Sequence, residues 1–134
     1  MSNNKVIVIE DDPDINKLIT YALQKEGFAV EQVFDGNIGA QRLKSDYFNI
    51  VVLDIMLPGL SGYDICKEIK EKDSLPKPFV IVISAKSSYQ DKLYAHILGA
   101  DCYLSKPFRV GKLTEIVNEI RQMQNKNYTV KLVK

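Results

Sequence analysis

The chain has 134 residues, with 18 Lys or Arg against 17 Asp or Glu and a net charge of +1. This length suits one domain with a real core, and the balanced charge sets up no global field toward nucleic acid, a membrane or a strongly acidic substrate. No apolar run approaches the ~20 residues that span a bilayer, and "MSNNKVIVIE" lacks the apolar core of a signal peptide, so the expectation is a soluble, cytoplasmic protein that does not engage a membrane.

The predicted elements alternate along the chain. "KVIVI" is a short β-branched run. "PDINKLITYALQKEG" follows, with Ile15, Leu18, Ile19, Ala22 and Leu23 at helical spacing and Gly27 as a stop; Pro13 suits the first turn, where its missing N–H has no partner to lose. "FAVEQV" reads as a second strand and "DGNIGAQRLKSD" as a helix weakened by its glycines. "FNIVVLD" is the most continuous apolar run, which predicts a central strand buried on both faces. "MLPGLSG" is a loop, and "YDICKEIKEKD" a third helix using Ile65, Cys66 and Ile69. "PFVIVISA" is a fourth strand, "SSYQDKLYAHILGA" a fourth helix ending at Gly99, and "DCYLSKP" holds a short fifth strand. "RVGKLTEIVNEIRQMQ" closes the series with Leu113, Ile116, Val117 and Ile120 on one face. Strands alternating with helices imply a parallel sheet with right-handed crossovers and helices on both faces. Beyond it, "NKNYTVKLVK" alternates Tyr128, Val130 and Leu132 after a polar break. The expected division is a domain over residues 1–122 and a tail or the start of a linker over 123–134, with a mobile tail favoured over an extra edge strand.

Chemistry collects at the strand ends. Open parallel sheets bind ligands outside the carboxyl ends of their strands. The first strand ends in Glu10 and Asp11, the third in Asp54, the fourth in Ser84, and the fifth is followed by Lys106 and Pro107. Adjacent carboxylates at ~4 Å repel by roughly 4 kcal/mol at an effective dielectric near 20, so a hard divalent cation is their natural neutraliser, and magnesium favours such an oxygen set. Each residue alone has a plainer reading: a solvated loop acid, a helix cap for Ser84, a surface charge for Lys106. The convergence of all five on one rim outweighs those readings. Asp12 and Asp14 fit the N-terminal turn of the first helix, and His96 has no partner motif. Cys66 and Cys102 lack metal-ligand spacing and sit in apolar segments, so they are expected as reduced, buried thiols.

With these motifs in order, "VIVIEDD", "IVVLDIMLPGLSGYDI", "VIVISA" and "GADCYLSKPF", the chain resembles the receiver domain of bacterial two-component response regulators over roughly residues 5–122. The resemblance implies an α/β, doubly wound, five-stranded parallel sheet with strand order 2-1-3-4-5, like flavodoxin. It implies that Asp54 is the phosphoacceptor, that Glu10, Asp11, Asp54 and the backbone carbonyl of Met56 hold Mg2+, and that Lys106 pairs with phosphate oxygens. Ser84 matches the switch hydroxyl, Tyr103 the aromatic switch residue that turns inward, and Pro107 the proline preceded by a cis peptide bond. Position 10 is Glu where many members have Asp, and position 84 is Ser where Thr is frequent. The implied partners are a sensor histidine kinase or phosphotransfer protein, and a second copy of the chain on phosphorylation. DNA becomes a partner only if a C-terminal output domain exists beyond this chain, because no helix-turn-helix or basic stripe follows the last helix.

The reading is thus a signalling module, not a metabolic enzyme. The alternative is a receiver-like interaction domain that no longer uses phosphate; the intact set of Glu10, Asp11, Asp54, Ser84 and Lys106 weighs against it. A phosphatase of the haloacid dehalogenase type typically has a second Asp two residues after its nucleophile, where this chain has Met56. A nucleotide or flavin binder lacks its glycine-rich loop after the first strand.

Overall fold

The computed structural model describes residues 4–72 and 76–125. Five strands alternate with five helices: β1 (Lys5–Ile9), α1 (Pro13–Lys25), β2 (Ala29–Val33), α2 (Gly36–Ser45), β3 (Ile50–Asp54), α3 (Gly62–Glu71), β4 (Phe79–Ser84), α4 (Tyr89–Ile97), β5 (Cys102–Ser105) and α5 (Val110–Asn125). The strands form one parallel sheet in the order β2-β1-β3-β4-β5, as expected. All five residues of β3 are buried, which explains its unbroken apolar run at the centre of the sheet.

Strand alternation divides the core into two layers. Val6, Val8, Val52 and Ile83 face α1 and α5, meeting Ile19, Leu23, Leu113 and Ile116. Ile7, Ile9, Leu53 and Val82 face the other helices, meeting Ile65, Ile69 and Ala95. The apolar stripes read for α3 and α5 are the buried faces of those helices. Leu18 departs from its expected place, being 54% exposed on α1. The stripe of α1 is instead completed by two polar residues, Asn16 and Thr20.

The ends of the helices follow local chemistry. Asp12 caps α1, accepting from the amides of Asp14 and Ile15, while Pro13 occupies the first turn. Ser88 and Asp91 form a reciprocal capping box at α4. Gly27 and Gly99 both have positive φ, which stops α1 and α4 where the sequence placed their ends. α5 continues to Asn125, past the expected boundary at 122, and Tyr128, Val130 and Leu132 lie outside the described residues. Cys66 and Cys102 are buried and no disulfide joins them; they sit in opposite core layers, with the sheet between them. Among the described residues, no helix is long and apolar enough to cross a membrane.

Candidate functional site

Strand register brings the site together. Ile9 pairs with Leu53, so the residues that follow, Glu10 just past β1 and Asp54 at the end of β3, lie side by side at the rim. Asp54 pairs with Ile83, which sets Ser84 one step beyond it, opposite Ser105. Lys106 follows immediately and turns back over the rim: its Nζ lies 2.7 Å from Glu10 Oε1 and 2.7 Å from Asp54 Oδ2. The Lys106–Pro107 peptide is cis, as the resemblance implied.

The remaining carboxylate oxygens are held by the backbone. The amide of Asp12 donates to Glu10 Oε2 at 3.1 Å, and the amide of Met56 donates to Asp54 Oδ1 at 2.9 Å. Glu10 is fully buried and Asp54 is 4% exposed, whereas Asp11 projects into solvent. Ligand atoms of Glu10, Asp11 and Asp54 all lie within 4.8 Å of one another. Three hard oxygen donors, one facing open solvent, fit a magnesium ion that keeps several waters.

Charge is unevenly shared. Burial pushes the Glu10 carboxyl up to about 7, against the opposing pull of Lys106 and the Asp12 amide. Burial also works against the charge on Lys106, but its contacts with Asp54 and Glu10 outweigh it, and the ammonium is held above its ordinary value. Lys106 is therefore the resident counter-charge of the two buried acids.

Close backbone approach shapes the loop after Asp54. A Cβ on Gly62 would lie 2.4 Å from the carbonyl oxygen of Asp54, and one on Gly36 would lie 1.7 Å from that of Leu60. The amide of Gly36 also donates to the carbonyl of Pro58 at 3.1 Å. The β3–α3 loop is thus seated on the start of α2, and Met56 beside Asp54 is 58% exposed.

Ser84 is fully buried and caps no helix; its Oγ accepts from the amide of Lys86 at 3.1 Å. Tyr103 is only 9% exposed, and its hydroxyl donates to the carbonyl of Lys86 at 2.5 Å. The ring is turned inward, because Tyr103 faces the core layer of Val82 and the β4–α4 loop offers its phenol an acceptor. Burial raises the phenol above its ordinary value. His96 is exposed near the C-terminal end of α4, with its Nδ1 3.3 Å from the carbonyl of Ala100.

Asn16 was missed by the sequence reading. It is fully buried beneath Glu10 and donates to that residue's carbonyl at 2.9 Å. The signal was its spacing from Ile19, Thr20 and Leu23, which places a lone amide on the inward face of α1.

The family model for the response regulator receiver domain matches residues 6–118. The "Uncharacterized transcriptional regulatory protein YcbL" of Bacillus subtilis is 41% identical over 108 residues, 81% of this chain and 46% of that protein. Response regulator ArlR of Staphylococcus aureus is 32% identical over 120 residues, 90% of this chain and 53% of its own. The chain therefore spans about half the length of these curated relatives. Among solved structures, the BeF3-activated DrrB receiver domain superposes with a TM-score of 0.80 at 34% identity, covering 88% of this chain and 97% of that one. The receiver domain of Francisella response regulator 1452 gives 0.84 at 28% identity, covering 90% and 98%.

Proposed function

The chain belongs to the response regulator receiver family of two-component signal transduction, and on that premise we propose that Asp54 accepts a phosphoryl group from a histidine kinase or phosphotransfer protein, in a magnesium-dependent reaction that alters the surface offered to downstream partners. The observation that carries this reading is Lys106 bridging Glu10 and Asp54 at 2.7 Å each. It sets one cation against two buried acids, beside the exposed carboxylate of Asp11.

Asp54 is the nucleophile. One of its carboxylate oxygens forms a bond to phosphorus as the bond from phosphorus to the donor's imidazole nitrogen breaks, and the imidazole leaves. Phosphoryl transfer asks a protein for alignment and charge neutralisation more than for covalent help. The Met56 amide orients Asp54 through Oδ1. Lys106 carries a full charge at neutral pH and stands beside the reacting carboxylate to offset charge on the phosphoryl oxygens. Glu10, Asp11, Asp54 and the Met56 carbonyl are the proposed ligands of Mg2+, which when bound adds further charge neutralisation at those oxygens. The Ser84 hydroxyl is the donor that would meet the phosphoryl group, giving up its contact with the Lys86 amide and so disturbing the loop that Tyr103 holds. The chain acts as a signalling module rather than a metabolic enzyme, residues 1–122 carry it, and its place is the cytoplasm. A homodimer formed on phosphorylation is part of the same proposal, and DNA is a partner only if an output domain follows this chain.

Incubation with Mg2+ and acetyl phosphate tests the reading by intact-protein mass. The wild type is expected to gain one phosphoryl group that is lost in mild base, and Asp54→Asn to gain none while keeping its far-ultraviolet circular dichroism. A phosphorylated Asp54→Asn protein would move the acceptor elsewhere.

A further inference from the structure

Asn16 lies in the first turns of α1 with no exposed surface. A primary amide in such a place is costly unless its hydrogen-bonding positions are filled. All four are filled here. Nδ2 donates to the carbonyl of Glu10 at 2.9 Å and to the carbonyl of Val33 at 3.0 Å. Oδ1 accepts from Thr20 Oγ1 at 3.2 Å and from Gln32 Nε2 at 2.9 Å. Two carbonyls on one side and an amide donor on the other fix which end is nitrogen.

The place of these bonds matters more than their number. The β1–β2 ladder has its last register pair at Ile9 and Val33, so Glu10 lies one residue beyond it. The Glu10 amide still reaches the Val33 carbonyl at 3.0 Å. Its own carbonyl lies past the last rung of the ladder and accepts from Asn16 Nδ2. That carbonyl belongs to the peptide joining Glu10 to Asp11. Fixing it fixes the plane from which the two acid side chains diverge, one inward to Lys106 and one outward to solvent.

We propose that Asn16 is a positioning residue for the metal-binding acids: it holds the Glu10–Asp11 peptide, and Thr20 and Gln32 hold Asn16 in turn. This rests on the reading of Glu10 and Asp11 as magnesium ligands. A packing role alone would be met by an apolar side chain of similar volume, which would leave the Glu10 carbonyl without this donor. The chain from Gln32 also connects the outer edge of β2 to the metal pair through two hydrogen bonds.

The test is metal affinity rather than activity. Mg2+ binding is followed by calorimetry and Mn2+ binding by the resonance signal of the free ion, for wild type, Asn16→Ala, Asn16→Ser, Gln32→Met and Ile120→Ala. Ile120 is a buried residue of α5, next to Arg121, which bonds the Glu26 carbonyl at the opposite end of α1 from Asn16, and it serves as the control for lost stability. Removing an outer partner of a metal site typically weakens binding about 10- to 100-fold, and that is the loss expected for both Asn16 variants. Gln32→Met sits at an exposed position of β2, so it tests the same chain where the core cannot fail to fold, and it is expected to lose affinity by about two- to fivefold, less than removing the outer partner itself. Ile120→Ala is expected to match wild type. Folded Asn16 variants that bind like wild type overturn the proposal, as does an Ile120→Ala protein that loses as much affinity as they do. If neither Asn16 variant folds, unchanged affinity in Gln32→Met overturns it. A wild type that binds neither ion at millimolar concentration sinks the magnesium reading itself, and this proposal with it.

Discussion

Glu10 makes the energetic tension of the site measurable. Burial pushes its carboxyl up to about 7 in the folded chain, against about 4.5 for an unburied glutamate. The group is fully buried, so solvent does not screen the effect away. Because the folded value is the higher one, the unfolded chain releases this proton first. The stability tied to protonated Glu10 is complete below pH 4.5 and is lost as pH climbs toward 7 and above. Between pH 5 and pH 8 the loss is about 2–3 kcal/mol, from roughly 1.4 kcal/mol per unit of pKa difference. Glu10→Gln keeps the size of the side chain and removes the titration. Urea midpoints for both proteins, at the two pH values and with a chelator present, therefore form a double difference in which the groups remote from Glu10 cancel. Wild type should lose about 2–3 kcal/mol more than Glu10→Gln on going from pH 5 to pH 8, a midpoint shift of roughly 1–2 M urea at a typical slope. Magnesium at 100 times its dissociation constant should return about 2.7 kcal/mol to the wild type at pH 8 and much less to the variant. Equal pH dependence in the two proteins would refute the claim that burial of Glu10 stores this energy.

Other expectations follow from single contacts. Gly36→Ala places a methyl against the Leu60 carbonyl, where only backbone can yield; it should cost about 3 kcal/mol or more and lower the melting temperature by roughly 10 °C, read by calorimetry. Tyr103→Phe removes the hydrogen bond to the Lys86 carbonyl, and should cost about 1 kcal/mol, with faster amide exchange confined to the β4–α4 loop. Burial pushes the Cys66 thiol up to about 12, so a thiol reagent at pH 8 should modify it only in denaturant; rapid labelling of native protein would contradict its placement in the core.

The strand order and the rim acids were legible because they rest on strong local signals. A parallel sheet needs continuous apolar strands, and its register automatically aligns whatever follows each strand; Glu10, Asp54, Ser84 and Lys106 converge for that reason. The details that escaped are those in which one segment answers another far away in sequence. Nothing near Gly36 announces that the Leu60 carbonyl will fill the space of its missing side chain. Nothing near Tyr103 tells that Lys86 will offer an acceptor and hold the ring inward. Hydropathy favours leucine over asparagine and so puts Leu18 in the stripe of α1, yet Asn16 is buried and Leu18 is 54% exposed. The exchange has a physical cause. The end of β1 leaves a carbonyl past the last rung of its ladder, and the α1 position beneath it must donate a hydrogen bond, which leucine has no group to do. Hydrophobic periodicity finds the face of a helix, but the unmet hydrogen bonds of neighbouring strands decide which residues on that face are polar.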